Sequence, residues 1–273
     1  MRTLAHLSDL HFGAVLPSAV EGVLTALHAI RPDLVVVSGD FTQRAREWQF
    51  EAARLFLDQL PFPKLLVPGN HDVPLFNLLA RFLAPTDNYR KYLSEDLSPV
   101  FRDDEIIVLG INTARSLTWK NGRVSREQME VIRDTFCEVP DEPCRILVTH
   151  HPFVAPPGKP REGVVGRAEE VFLKVHGCVP DLALAGHYHT SYAGGTHEVY
   201  TAVKGSTLVI QAGTAVSTRT RLERNAFNII AVQDEFVRVD VWMWNGSGFV
   251  AVRSGEYAKI DGRWALRETE RVA

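Results

Sequence analysis

The sequence predicts an α/β fold, a four-layer αββα sandwich of two mixed β-sheets flanked by helices. Through the first two thirds of the chain, short apolar runs alternate with segments of helix-like spacing, which is typical of βα units and a largely parallel sheet. After about residue 190 the pattern changes to closely spaced β-like runs. Breaks such as KGS, QDE and NGSG separate these runs and indicate hairpins.

Six apolar runs, each ending in a polar cluster, predict the buried strands: TLAHLSD, DLVVVSGD, KLLVPGNHD, IIVLGIN, RILVTHH and LALAGHYH. Helix-like spacing occupies the segments between them: Ser18–Ile30, Arg46–Leu60, Val73–Leu83, Ser125–Phe136 and Gly166–Val175. The later β-like runs predict a second sheet over about residues 190–260: THEVYTAV, STLVIQAG, AFNIIAVQ, FVRVDVWMW and SGFVAVRS. We expect one domain over residues 1–273, with the functional motifs within residues 9–189.

Composition and charge narrow the classes of function. The net charge of −3 gives no overall basic field, so we expect no long nucleic acid as a partner. No targeting segment and no run of about 18 apolar residues appear, which predicts no transmembrane segment and a cytoplasmic location. Cys137, Cys144 and Cys178 are odd in number and lack CxxC spacing, so we expect thiols in a reducing compartment, not a disulfide framework.

Polar side chains follow each of the predicted parallel strands. They comprise Asp9, His11, Asp40, Asn70, His71, Asp72, His150, His151, His187 and His189. Functional groups collect beyond the carboxyl ends of parallel strands, so we expect these side chains to meet. Carboxylate and imidazole ligands without thiolate suit Mn, Fe, Zn or Co. One ion takes fewer ligands than this, whereas two ions about 3.5–4 Å apart, bridged by a carboxylate, would suit displacement at phosphorus. The donors therefore predict a two-metal hydrolase.

Five motifs occur in a fixed order: DLH at 9–11, GD at 39–40, GNHD at 69–72, His150, and GHYH at 186–189. In these the chain resembles the calcineurin-like metallophosphoesterase superfamily. Through LSDLHFG, GNHD, THHP and GHYH it is most similar to bacterial class III cyclic-nucleotide phosphodiesterases. The resemblance implies two divalent or trivalent ions, of Mn, Fe or Zn. It puts Asp9, His11 and His189 on one ion, Asn70, His150 and His187 on the other, and Asp40 as the bridge.

The same resemblance implies hydrolysis of a small phosphodiester, with 3′,5′-cyclic nucleotides such as cAMP as the leading substrate. A metal-held hydroxide would attack phosphorus. His71, left over from the metal set, is our general acid, and Asp72 is expected to hold its other ring nitrogen. His151 points to the opposite side of its strand and either packs or shapes the pocket. Candidate substrate contacts lie in loops after strands: Arg44, Asn112, Arg115, Arg219 and Arg221. Such arginines are equally often just solvated.

Three alternatives stay open. A pyrophosphatase acting on a nucleotide-linked lipid precursor of the UDP-2,3-diacylglucosamine type would need an apolar groove, for which LFNLLARFLAP at 75–85 is apolar enough. A nuclease would need a basic groove, which the net charge of −3 disfavours. A non-catalytic metal-binding scaffold is disfavoured because every ligand position is intact. The β-rich last part of the chain offers a surface for a homodimer.

Overall fold

A computed structural model describes residues 1–118, 120–138, 143–203, 205–220 and 223–272. Six α-helices lie within these residues: α1 Pro17–Ile30, α2 Glu47–Asp58, α3 Leu78–Leu83, α4 Asp87–Tyr92, α5 Arg126–Cys137 and α6 Ala168–Lys174. The first nine strands there are β1 Arg2–Leu7, β2 Leu34–Val37, β3 Lys64–Leu66, β4 Val100–Arg102, β5 Ile106–Ile111, β6 Cys144–Thr149, β7 Leu182–Ala185, β8 Tyr192–Gly195 and β9 Leu208–Gln211. The last four are β10 Ala226–Val232, β11 Val237–Trp244, β12 Phe249–Ile260 and β13 Arg263–Arg271.

The strands form two mixed sheets. The first has seven strands in the order β13-β12-β11-β10-β1-β2-β3, and the second has six in the order β4-β5-β6-β7-β9-β8. The centre of each is parallel: β1, β2 and β3 in the first sheet, and β5, β6, β7 and β9 in the second. Antiparallel strands extend both sheets, because β10 pairs with β1 while β4 and β8 flank the second sheet. The parallel strands of both sheets carry the loops that matter for function.

Alternation along the strands creates three apolar layers. In β2, Leu34 and Val36 face a cluster between the two sheets, whereas Val35 and Val37 face the cluster under α1 and α2. The strands of the second sheet alternate in the same way, with one face on the middle layer and the other under α5 and α6. Because successive side chains point to opposite faces, strands buried on both sides read as continuous apolar runs. The predicted αββα sandwich is confirmed.

The placement of the later strands is different from the prediction. Residues 190–260 do not form a sheet of their own: β8 and β9 join the second sheet, and β10, β11 and β12 extend the first. The run THEVYTAV holds a short 3-10 turn, Thr196–Glu198, not a strand. Hairpin signals identify neighbouring strands but not the sheet edge on which they pair. Here the open side of β1 takes β10.

The predicted helix Val73–Leu83 is also shorter than expected. It begins only at Leu78, where the side chain of Asn77 accepts a hydrogen bond from the backbone N–H of Ala80 at 3.0 Å. Pro74 disfavours a helical backbone at Val73, and Asn77 then supplies the cap that starts the helix. Helix α4 and strands β4, β8 and β13 were not among the predicted elements.

The expectation of free thiols is wrong for two cysteines. Cys137, at the end of α5, and Cys178, just beyond α6, form a disulfide with their Cα atoms 5.1 Å apart. Cys144 is the free cysteine among the described residues. The spacing of 41 residues could not reveal that the ends of α5 and α6 are neighbours. No helix in the part of the chain that the structure describes is both long and apolar enough to cross a membrane.

Candidate metal centre

The carboxyl ends of the parallel strands meet at one edge of the sandwich. Asp9 and His11 follow β1, Asp40 follows β2 and Asn70 follows β3, all from the first sheet. His150 follows β6, and His187 and His189 follow β7, from the second sheet. The two sheets therefore present their polar loops to the same space.

The backbone at this edge is strained. Five of the predicted ligands have positive φ angles: Asp9 at 53°, His11 at 51°, Asp40 at 55°, His187 at 74° and His189 at 55°. A non-glycine residue in this region costs about 1–3 kcal/mol, and such residues persist where the surroundings enforce them. Five such residues at one edge indicate that the surrounding structure holds these loops in a strained conformation that directs their side chains to the same space.

Three side chains form a first donor cluster. Asp9 Oδ1 lies 3.0 Å from His189 Nε2 and 3.6 Å from His11 Nε2. The two Nε2 atoms of His11 and His189 are 3.3 Å apart. The other carboxylate oxygen, Asp9 Oδ2, accepts hydrogen bonds from the Ser8 hydroxyl at 2.7 Å and the His187 N–H at 3.0 Å. These bonds fix Asp9 and leave Oδ1 facing the two imidazoles.

A second cluster lies beside the first. His150 Nε2 is 3.2 Å from Asn70 Oδ1 and 3.3 Å from His187 Nδ1. Asp40 lies between the clusters, with Oδ2 3.7 Å from His11 Nε2 and Oδ1 3.5 Å from His150 Nε2. The structure thus brings all seven predicted ligands together, three in each cluster with Asp40 between them.

The donor set fits cations. Asp9 Oδ1 is buried and has no hydrogen-bond partner among the described residues. Burial opposes ionisation of Asp9, but His189, His11 and His150 outweigh it and hold its pKa well below the usual range. Burial and the nearby His150 lower the pKa of His187 to about 3, so its ring is neutral. Burial lowers the pKa of His150, but Asp40 and Asp9 outweigh it and raise that pKa. Ionised carboxylates and a neutral imidazole are the forms in which these side chains bind a metal ion.

His71 is held differently from the prediction. Its Nδ1 lies 2.9 Å from the carbonyl oxygen of Gln43, and its Nε2 lies 3.4 Å from Nη1 of Arg219. Its backbone N–H donates to Asp40 Oδ1 at 2.8 Å. The expectation that Asp72 orients the ring is wrong, because a backbone carbonyl already occupies the ring nitrogen that faces away from the cavity.

Asp72 instead joins two loops. Its carboxylate accepts from the backbone N–H groups of Phe41, Thr42 and Gly69 at 3.1, 2.9 and 2.9 Å. The Thr42 hydroxyl also donates to it at 3.0 Å. Burial and the nearby charge of Asp40 raise the pKa of Asp72 to about 7, against the effect of these donors. Asp72 therefore holds the loops after β2 and β3 in register beneath the donor clusters.

Two cavities open on the centre. One, of about 320 Å³, is lined by polar and charged side chains that include Lys120, Lys159 and Tyr188. The other, of about 200 Å³, extends towards Val73 and Leu75. Both are lined by Asn70, His71, Lys120 and Arg219, so the cavities meet at His71.

The candidate substrate contacts fall into three groups. Arg44 and Arg219 line the smaller cavity beside His71. Asn112 and Arg115 line neither cavity: Asn112 Oδ1 accepts from the N–H of Ala114 at 2.9 Å, and Arg115 donates to the carbonyl oxygen of Asn112 at 3.1 Å. These bonds stabilise their own loop, and substrate contact by these two residues stays a prediction. Arg221 lies outside the described residues.

His151 is a buried support for the cavity wall. Its Nδ1 lies 2.8 Å from Thr113 Oγ1, and its Nε2 lies 2.8 Å from the carbonyl oxygen of Lys120. Its ring also packs on those of His150 and His187. The partners of both its nitrogens lie outside the two donor clusters, although His151 could also join His150 and His187 around an ion. It fixes the backbone at Lys120 above the cavity.

Sequence reasoning missed several residues of the site: Gln43, Lys120, Lys159 and Tyr188. Tyr188 lies inside GHYH, so its position was a usable signal. Its hydroxyl donates to the carbonyl oxygen of Pro160 at 2.5 Å and ties the loop that contains Pro160 to the centre. Gln43 contributes its backbone carbonyl, which is common to all residue types and therefore gives no signal in the sequence. The lysines come from loops remote in sequence from the motifs.

Comparison with known proteins gives related sequences and folds. The sequence model of a family described as calcineurin-like phosphoesterase matches residues 2–191. A glycerophosphodiester phosphodiesterase, GpdQ, from Enterobacter lignolyticus is 41% identical over 80 residues, 25% of this chain and 29% of that relative. A probable cyclic nucleotide phosphodiesterase from Synechococcus is 24% identical over 204 residues, 71% of this chain and 75% of that protein.

Solved structures share the architecture. A dimetal phosphatase from Danio rerio has a TM-score of 0.65 at 12% identity, covering 88% of this chain and 95% of that chain. A purple acid phosphatase from yellow lupin has a TM-score of 0.62 at 13% identity, covering 92% and 52%. At these identities the likeness concerns the fold alone.

Proposed function

Because the chain belongs to the calcineurin-like phosphoesterase family, we propose that it is a hydrolase of small phosphodiesters, with 3′,5′-cyclic nucleotides as the leading substrates. The observation that carries the proposal is the set of seven nitrogen and oxygen donors at one edge of the sandwich. They open to a cavity whose walls include Lys120, Lys159 and Arg219 as well as Glu162. Two relatives carry names of phosphodiesterases, one for glycerophosphodiesters and one for cyclic nucleotides. A diester is what these names have in common.

Two transition-metal ions, of Mn, Fe or Zn, are the proposed cofactors. Asp9, His11 and His189 would hold one, Asn70, His150 and His187 the other, and Asp40 would contact both. When bound, the ions supply Lewis-acid stabilisation of phosphate oxygens and lower the pKa of water.

The side chains around the ions position the substrate. Arg219 and Lys120 face the cavity from opposite loops, and their charges suit the non-bridging oxygens of a phosphate. Arg44 is a further candidate for such a contact from the smaller cavity. Arg219 is partly buried, which strengthens its charge interaction, whereas Lys120 and Arg44 are exposed to solvent.

His71 is the proposed general acid. The Gln43 carbonyl accepts from Nδ1–H, so the ring is fixed with Nε2 towards the cavity. In the protonated ring, Nε2–H donates its proton to the oxygen of the departing group. Arg219, next to Nε2, can turn to a phosphate oxygen when substrate enters.

The substitution His71→Asn tests this role. With a diester whose leaving group is an alkoxide, we expect kcat to fall about 100-fold or more, since general acid catalysis contributes about 10²–10⁴-fold. With a nitrophenolate leaving group, which needs no proton, the loss should be far smaller. His28→Asn, on the exposed face of α1, is the matched control and should change neither rate. Equal losses for both esters would rule out His71 as the acid.

A substrate panel with the Mn²⁺-loaded protein separates the alternatives. It should contain cAMP, 2′,3′-cyclic AMP, bis-nitrophenyl phosphate, nitrophenyl phosphate, single-stranded DNA and a UDP-linked lipid. Turnover of DNA alone would favour a nuclease, and turnover of the UDP-linked lipid alone would favour a pyrophosphatase. Absence of turnover on all six, with metal bound, would leave the non-catalytic scaffold.

The cytoplasmic location and the homodimer remain predictions. The disulfide between Cys137 and Cys178 bears on the first, because stable disulfides are rare in reducing compartments. Thiol labelling of the protein from its native cells and sedimentation analysis would test the two.

A further inference from the structure

Helix α3 has its polarity reversed relative to an ordinary surface helix. Its one buried side chain is that of Arg81, whereas Leu79 and Leu83 are 72% and 76% exposed. Leu78 and Phe82 are exposed as well, and Phe76, just before the helix, is 76% exposed. Residues three and four apart are neighbours on a helix, so these side chains form one apolar stripe. We call Phe76, Leu78, Leu79, Phe82 and Leu83 the α3 stripe.

The stripe is held facing outwards. The Arg81 guanidinium donates to the carbonyl oxygens of Ser116 at 2.7 Å, Pro74 at 2.9 Å and Thr118 at 2.6 Å. Rotating the helix to bury its leucines would break these charge-assisted hydrogen bonds. The helix has no other polar side chain that would gain contact with solvent in exchange. A contiguous exposed apolar patch on a soluble domain marks a binding surface. Here the hydrogen bonds of Arg81 maintain it.

The α3 stripe begins at the metal centre. Val73 and Leu75 line the smaller cavity together with His71. The guanidinium of Arg44, which lines the same cavity, lies 5.5 Å from the centre of the Phe76 ring. The apolar surface thus continues from the cavity onto the helix, with a cation where the two join.

From this continuity we infer that the α3 stripe binds the hydrocarbon chain of an amphiphilic phosphodiester whose phosphorus lies at the metal centre. The inference rests on the proposed function. An acyclic diester, unlike a 3′,5′-cyclic nucleotide, has two separate substituents, and the two cavities meet at His71. The polar substituent enters the larger cavity, the charged phosphate lies among Arg44, Lys120 and Arg219, and the chain lies along the stripe.

The test is a series of p-nitrophenyl alkyl phosphates, from methyl to decyl, below their micelle concentrations. A chain on an exposed stripe loses about half of its contact with water, so kcat/KM should rise about twofold per methylene, about 30-fold from methyl to hexyl. The double substitution Leu79→Ser and Leu83→Ser should flatten this rise. Ile260→Ser, on an exposed apolar residue at the end of β12, is the matched control and should keep the rise.

The outcomes separate this inference from the proposed function. No hydrolysis of the methyl ester by the metal-loaded protein would overturn the proposed function. Hydrolysis with equal kcat/KM for all chain lengths would overturn only the role of the stripe. The same holds if the double variant, with an unchanged melting temperature, keeps the full rise.

Two other occupants would also overturn the inference. If the double variant converts a dimer to a monomer while the chain-length series is flat, the stripe binds a second copy. If it abolishes binding to phosphatidylglycerol vesicles while the series is flat, the stripe binds a bilayer.

Discussion

The metal edge and the antiparallel extension β10–β13 are built by opposite rules. At the metal edge five predicted ligands have left-handed backbones, and the buried Asp9 Oδ1 has no hydrogen-bond partner among the described residues. In the extension, the strands pair in regular antiparallel ladders with two register shifts, and Phe227 packs against Trp242 and Phe249. Its one positive φ outside glycine among the described residues is Asp261, in the turn before β13.

Strained backbone and stabilising packing therefore occupy different regions of the molecule. The extension contributes ordinary burial and ladder hydrogen bonds, which stabilise the fold. The metal edge gives up local stability to hold charged groups close together. Substitutions in the two regions should therefore change different measured quantities.

Asp40→Asn should have the largest effect on activity. It removes the negative charge between His11 and His150 but keeps a side chain that tolerates the left-handed backbone. We expect kcat/KM to fall about 1,000-fold, the upper range for loss of a preorganised electrostatic group. Metal content, measured by mass spectrometry, should fall with it, while the free energy of unfolding of the metal-free protein should change by less than about 1 kcal/mol.

Asp240→Asn is the matched control in the extension. Asp240 lies on β11 and accepts from Arg238 Nε at 3.0 Å on a partly exposed surface. A surface ion pair of this kind contributes about 0–1 kcal/mol, so activity and metal content should not change. A comparable loss of metal in both variants would show that the two regions are not separate.

Phe227→Ala should break the extension instead. Phe227 is fully buried among aromatic side chains, and removing its ring should lower the free energy of unfolding by about 3–5 kcal/mol. The kcat per folded molecule should stay within about twofold, as measured at a temperature where the variant is folded. A large loss of kcat in the folded variant would contradict the separation.

Thr113→Val should have the smallest effect. It keeps the shape of the side chain and removes the hydrogen bond at 2.8 Å to His151 Nδ1. One such bond is worth about 1 kcal/mol, so KM should rise about fivefold as the loop at Lys120 loosens, with kcat nearly unchanged. Steady-state kinetics separate the two constants. A change in kcat alone would mean that His151 supports the ligands His150 and His187 instead of the loop.

The sequence was informative where function depends on residue type at a strand end. Asp9, Asp40 and His187 follow apolar runs, and parallel packing brings such ends together, so the donor clusters were predictable. The hydrogen-bond partner of His71 was not predictable, because every residue has a backbone carbonyl and nothing in the sequence marks that of Gln43. The order of strands after residue 190 was not predictable either, since antiparallel hairpins look alike on either sheet.

The orientation of α3, with its apolar face exposed, could be predicted from the sequence only in part. LFNLLARFLAP is apolar enough for a core helix, and its single arginine does not reveal which face is buried. The pairing of Arg81 with the carbonyl oxygens of Ser116 and Thr118, in the loop after β5, and of Pro74, just before the helix, decides the orientation. The position of the loop after β5 is set by tertiary structure. The disulfide between Cys137 and Cys178 escaped for the same reason.

Each donor cluster takes members from both sheets. Asp9 and His11 come from the first sheet and His189 from the second, while Asn70 comes from the first and His150 from the second. Ions in these positions would cross-link the two sheets at this edge, because each ion would be coordinated by residues from both. Removing the ions with a chelator should allow the two sheets to separate locally at this edge. Faster amide hydrogen exchange in the loops after β1 and β7 would show this separation. The same bound ions would then be required both for catalysis and for holding the two sheets together at the metal edge.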